Sequence, residues 1–80
     1  MSTTIKKPLN SLQRIINKDV SVRLKSDYEY RGKAVNIDQY MNVILADADE
    51  LYNDALVAHY GKVVIRGNNV LFIMIEENLL

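Results

Sequence analysis

Two short polar clusters carry the side chains best suited to chemistry, Asp38-Gln39-Tyr40-Met41-Asn42 and Ile65-Arg66-Gly67-Asn68. Each closes an apolar, strand-like run. Between them they hold an aromatic ring, a side-chain amide and a guanidinium, the groups that grip a flat heterocycle. A ring face and a guanidinium plane can sandwich a base, and stacking contributes roughly 1–3 kcal/mol per base. Stacking alone barely distinguishes bases. An amide, with one acceptor and two donors, can pair with the O and N–H groups on a pyrimidine edge. No nucleophile–base pair, metal-ligand cluster or phosphate loop stands out in the chain. The pattern points to recognition of a base or nucleotide, not to an enzyme, and no cofactor or metal is expected.

The elements that must position these clusters are legible from periodicity. Pro8 opens a run with Leu9, Leu12, Ile15 and Ile16 on one face, which predicts an amphipathic helix of about two and a half turns. From Asp19 the period changes to two: Val20, Val22 and Leu24 alternate with Ser21, Arg23 and Lys25, a half-buried strand. Ser26-Asp27 is a turn. A second strand starts with Tyr28 and Tyr30, and its apolar phase slips after Gly32, which predicts a bulge or bend that curls a sheet into a barrel. Residues 42–47 read as a third strand, 48–54 as an acidic loop, and 55–65 as a fourth strand interrupted at Gly61. Gly67-Asn68 reads as a hairpin turn and 70–75 as the last strand. Residues 1–7 and 77–80 read as tails around a single domain at 8–76. The expected fold is mainly β: a short N-terminal α-helix covering one end of a small, strongly bent antiparallel sheet of five strands in a meander.

Composition narrows the function classes. Eighty residues make one small domain near the limit of independent stability. Yet 49% of them are apolar, which is explained if some apolar surface is buried against other copies. The formal net charge is zero, so any polyanion must be held by local placement of charge. The absence of cysteine excludes disulfides and thiolate metal sites and allows an intracellular, cytoplasmic location. The longest apolar run, residues 70–75, is far short of the roughly 20 needed to span a bilayer, and no secretory signal is evident at residues 1–7.

The last hairpin departs from alternation. Val63, Val64 and Ile65 are all apolar, as are all residues from 70 to 75, so both faces need cover. Either these strands are internal and the helix covers their second face, or the last strand of one copy pairs with a strand of the next. Repeated head to tail, the second arrangement closes into a ring if the rotation between copies permits.

These residues resemble the Sm and Sm-like (LSm) proteins, particularly the short archaeal type. Pro8-Leu9, Val20-Ser21-Val22-Arg23-Leu24 and Tyr30-Arg31-Gly32 fall in the family order. The segment from Asp38 to Asn42 resembles the end of the first Sm motif, Asp-x-x-Met-Asn. The segment from Gly61 to Val70 resembles the second, with its Ile-Arg-Gly core. The resemblance implies the Sm fold, a helix-capped, five-stranded, strongly bent antiparallel barrel, in a ring of six or seven copies, usually seven in this branch, joined by the fourth and fifth strands of the barrel. It implies binding of single-stranded, uridine-rich RNA at the inner rim of the pore, in RNA processing, stability or ribonucleoprotein assembly, with other RNA-processing proteins as further partners. Residue by residue, Tyr40 takes the place of a histidine or aromatic that stacks on the base, Asn42 that of an amide bonding the base edge, and Arg66 that of an arginine on the base's other face. Gly67 lets the backbone turn close to the RNA, Asn68 stands where aspartate is frequent, and Asp38 matches a loop-ordering acid. Tyr40 in place of histidine keeps the stacking ring and drops a group that titrates near neutrality. A structural or protein-interaction ring module without RNA binding is the alternative function.

Other candidates read more plainly. His59 has no acid–base partner evident in the sequence and reads as structural or surface. Asp47, Asp49, Glu50 and Asp54 match no calcium-loop spacing and read as a solvated loop. Lys6, Lys7, Arg14 and Lys18 read equally as a second RNA surface or a solvated basic face.

Overall fold

The computed structural model describes the backbone of residues 2–4 and the full residues 13–76. Among the described residues six strands form one antiparallel sheet: β1 (Ser2–Thr4), β2 (Asp19–Leu24), β3 (Tyr28–Ile37), β4 (Val43–Tyr52), β5 (Ala55–Ile65) and β6 (Val70–Glu76). Their order across the sheet is β1-β6-β2-β3-β4-β5. The five strands expected of the barrel are β2 to β6, so its fourth and fifth strands are β5 and β6.

The alternation read in β2 holds only in part: Val20 and Val22 are buried opposite Gly32 and Tyr30 of β3, but Ser21 between them is buried as well and Leu24 is only half-buried. The phase slip at Gly32 is a register shift of β3 against β4 between Arg31 and Lys33, with another between Ala34 and Asn36. A Cβ on Gly32 would stand 2.8 Å from the Ala46 carbonyl oxygen, so this close crossing excludes any side chain there. Such shifts bend the strands and curl the sheet around one core. That core is built from Ile15, Val20, Val22, Ala34, Ile37, Val43, Leu45, Ala48, Ile65, Val70, Ile73 and Ile75.

Several expectations are corrected. Of the segment expected as an N-terminal helix, the described residues form a single 3-10 turn, Gln13–Ile15, which seats the fully buried Ile15 against the sheet; residues 5–12, including Pro8, Leu9 and Leu12, lie outside the described residues. The turn is tied to β3 by the Asn17 N–H donating to the Ala34 carbonyl (2.7 Å) and the Ala34 N–H donating to the Lys18 carbonyl (3.0 Å). Residues 48–52 are strand rather than loop. Asp47 takes a positive φ of 50°, which shifts the side-chain phase, and the true turn is Asn53-Asp54, with φ of 50° and 66°. The acidic side chains face partners across the strands: the Tyr30 hydroxyl donates to Glu50, and His59 Nδ1 lies 2.6 Å from Asp49 Oδ1. His59 thus has the partner that the sequence did not reveal. Burial pushes the Tyr30 hydroxyl's pKa upward, with Glu50 adding to the shift. Gly61 does not interrupt β5.

At the termini, Ser2–Thr4 is not a loose tail. It pairs with β6, Ser2 opposite Glu76, Thr3 opposite Ile75 and Thr4 opposite Met74, because β6 offers an open edge there. Residues 77–80 lie outside the described residues, while Glu76 belongs to β6 and accepts a bond from the Ser21 hydroxyl (3.0 Å).

Candidate nucleic-acid interface

One rung of the sheet brings the two polar clusters together. Ile37 of β3 pairs with Val43 of β4, and Val43 pairs with Ile65 of β5. All three are buried. The loop that leaves Ile37 and returns at Val43 therefore lies beside the loop that leaves Ile65 and returns at the buried Val70. Burying four aliphatic side chains at the loop ends, each contributing roughly 1.5–3 kcal/mol, anchors both loops on the core.

The first loop is ordered by Asp38. Its Oδ1 accepts from the N–H groups of Tyr40 (2.9 Å) and Asn42 (3.0 Å), and its Oδ2 accepts from Asn42 Nδ2 (2.9 Å). The Met41 N–H closes a turn onto the Asp38 carbonyl (3.0 Å). Met41 sits at a φ of 64°, a conformation that costs an L-residue roughly 1–2 kcal/mol. Its side chain packs on the core. The bonds from the Asn42 side chain and then from the Asn42 and Tyr40 backbones hold the Asp38 carboxyl below the usual carboxylate range. Asp38 thus ties the backbone and the Asn42 side chain of this loop together.

The second loop is not the hairpin turn expected of Gly67-Asn68. Residues Gly67–Asn69 form a 3-10 turn closed by the Asn69 N–H on the Arg66 carbonyl (3.0 Å), and no glycine in the chain has a positive φ. Gly67 is required by proximity. A Cβ there would lie 1.6 Å from the Tyr40 carbonyl oxygen and 2.7 Å from its carbon. The two loops therefore meet backbone to backbone, and the Gly67 N–H donates to Asn42 Oδ1 (2.7 Å).

Asn42 is consequently fixed in one orientation. Its oxygen faces an N–H and its NH₂ faces a carboxylate; turning the amide over would set donor against donor and acceptor against acceptor. One N–H and one lone pair of the amide remain for a ligand.

Tyr40, Asn42, Val64, Ile65, Arg66, Gly67 and Asn68 line one open concavity. All five residues expected to contact RNA are thus brought to one place, with Tyr40 two-thirds exposed and Arg66 and Asn68 exposed. Sequence reasoning missed Val64 and Ile65 as lining residues; the signal was their place in the non-alternating run that leads into Arg66. His59, Arg14 and Lys18 are not part of the concavity. Lys6 and Lys7 lie outside the described residues. Among the described residues, no group of three His, Cys, Asp or Glu side chains could hold a metal, and no helix is long and apolar enough to cross a membrane.

The LSM domain family model matches residues 10–75. A snRNP Sm-like protein of Pyrococcus abyssi is 46% identical over 71 residues, covering 89% of this chain and 95% of that protein. Among solved structures, the Pyrococcus abyssi Sm protein in complex with a uridine heptamer superimposes with a TM-score of 0.82 at 44% identity, over 89% of this chain and all of that one. A heptameric archaeal Sm protein matches with a TM-score of 0.77 at 38% identity, over 85% of this chain and 98% of that one.

Proposed function

Because this chain belongs to the LSM domain family, the Sm and Sm-like proteins, we propose that it forms a homo-oligomeric ring of seven copies that binds single-stranded, uridine-rich RNA around its pore. It is a binding module, not an enzyme, and serves RNA processing, stability or ribonucleoprotein assembly in the cytoplasm.

The observation that carries the reading is the fixed amide of Asn42. Uracil presents a carbonyl acceptor at O4 beside a donor at N3–H, whereas cytosine presents an amino donor beside an acceptor. The free N–H and lone pair of Asn42 match the first pattern, and the bonds to Asp38 and Gly67 prevent the flip that would match the second. In this reading Tyr40 and Arg66 supply affinity by stacking, Asn42 supplies the choice of base, and Asn68 replaces a negative charge beside Arg66 with a neutral amide, easing phosphate approach. The relative bound to a uridine heptamer supports the ligand class.

The ring rests on the sheet edges. Among the described residues β5 is paired only with β4, and it exposes Leu56 (66%) and Val64 (67%), while β6 exposes Leu71 (59%). Pairing β5 of one copy with β6 of the next covers these side chains and continues the ladder. The heptameric relative supports the copy number. A closed ring also repeats the pocket, so contacts that are weak singly add through effective concentration.

Titrating labelled oligo-uridine, oligo-cytidine and oligo-adenosine against the parent, Asn42→Ala and Arg66→Ala tests the site. Uridine preference in the parent is expected, with binding lost in both variants while the ring mass persists. A ring with no oligo-uridine affinity would mark a structural or protein-interaction module instead.

A further inference from the structure

The outer edge of β6 is the one the ring requires, and in the single subunit part of it is already taken. β1 runs antiparallel along it, opposite Met74, Ile75 and Glu76. Among the described residues it covers three of the seven positions of β6 and leaves 70–73 open. In an antiparallel contact, the C-terminal end of a neighbour's β5 meets the open end of β6, and its N-terminal half runs toward the end that β1 covers. β5 is eleven residues long, and its exposed apolar side chains extend from Leu56 and Val57 to Val64. Four positions of β6 are too few to pair with that length. A ladder along the whole of β6 needs the place of β1.

We propose that the N-terminal segment is a displaceable edge guard, with Ser2–Thr4 capping the C-terminal half of β6 in the free subunit and being expelled when β5 of a second copy pairs there. The inference rests on the ring reading given above. The guard is a weak occupant, because it is only three residues long and made of small hydroxylated residues. The incoming β5 is longer and brings apolar side chains that the subunit leaves uncovered. The free subunit thereby hides part of an open edge that would otherwise invite disordered association, and the ring forms by exchanging an internal strand for a neighbour's. Ring closure then releases one N-terminal segment per subunit from the sheet.

The test compares the parent with two variants, deletion of residues 2–7 and the double substitution Thr3→Pro/Thr4→Pro. Successive residues of a strand point their N–H groups to opposite sides, so the double substitution must remove a donor toward β6 whatever the phase, and it retains the charges of Lys6 and Lys7. Assembly after dilution from denaturant is followed by light scattering, with the final mass read by native mass spectrometry. Both variants are expected to reach the parent's ring mass and to assemble about fivefold faster or more, the equivalent of freeing about one net hydrogen bond per edge. If both form the ring at the parent's rate or more slowly, the guard is overturned and the ring reading stands. If none of the three chains forms a ring, the ring reading fails and takes the guard with it.

Discussion

Replacing Gly67 with alanine isolates the meeting of the two loops. Neither Gly67 nor Gly61 has a positive φ, so alanine suits the backbone at both sites and only space differs. At Gly67 the added carbon falls 1.6 Å from the Tyr40 carbonyl oxygen, about half an ordinary van der Waals separation, with the Tyr40 and Met41 carbonyl carbons at 2.7 and 2.9 Å. At Gly61 nothing lies within 4 Å. Relief at Gly67 requires the loops to part by well over an ångström. That breaks the bond from the Gly67 N–H to Asn42 and withdraws Tyr40 from its position. Overpacking of this kind costs about 1–3 kcal/mol of stability, visible as a lower urea midpoint. Losing one stacked base per pocket lowers affinity by about 5- to 150-fold. Fluorescence anisotropy with labelled oligo-uridine reads the second effect, and the ring mass is checked alongside. Gly61→Ala is expected to shift stability by under about 1 kcal/mol and to bind as the parent does. Parental affinity in Gly67→Ala would refute the claim that the loops form one pocket through this contact.

Three further outcomes follow from the same geometry. Asp38→Asn keeps one oxygen for the Tyr40 and Asn42 backbones but sets an NH₂ against Asn42 Nδ2, so the amide loses its lock and discrimination of uridine from cytidine should fall in competition titrations while stacking persists. The depressed Asp38 pKa contributes loop order that is fully present above the usual carboxylate value and lost as pH falls through the lower folded value; with no histidine in the pocket, oligo-uridine affinity should be flat from about pH 8 to about pH 5 and decline only in stronger acid. Val64→Asp places a charge on a side chain exposed in the subunit and buried in the proposed ring, so sedimentation should report smaller species whose β-sheet circular dichroism is unchanged.

Much of this was legible in the sequence where periodicity carried it. Val20 and Val22 marked β2, the phase slip at Gly32 marked the register shift of β3, and the bounds of β5 at residues 55–65 were legible, though not its continuity through Gly61. That the two clusters belong together was legible because two motifs fell in the right order, and the concavity they line holds all five residues named from them. What escaped were features set by the third dimension. Residues 48–52 read as a loop because Asp47 shifts the phase and because Asp49 and Glu50 find His59 and Tyr30 only across the sheet. Ser2–Thr4 is too short and polar to show a period, and its strand exists only because β6 has an open edge. Gly67 looked like a turn glycine, and only the proximity of Tyr40 shows why a side chain is excluded. The double tether of Asn42 joins residues 25 apart in sequence and could not be read from either cluster alone.

The central claim is that one uridine pocket per subunit is repeated around a closed ring. The most direct measurement is the affinity of the intact protein for oligo-uridines of increasing length, with the ring mass determined on the same sample. The account predicts a seven-subunit mass, an affinity that climbs with each added nucleotide until the pockets of one ring are filled and then levels off, and no such climb for oligo-adenosine. A monomeric mass, or an affinity indifferent to length or shared equally by adenosine, would contradict it.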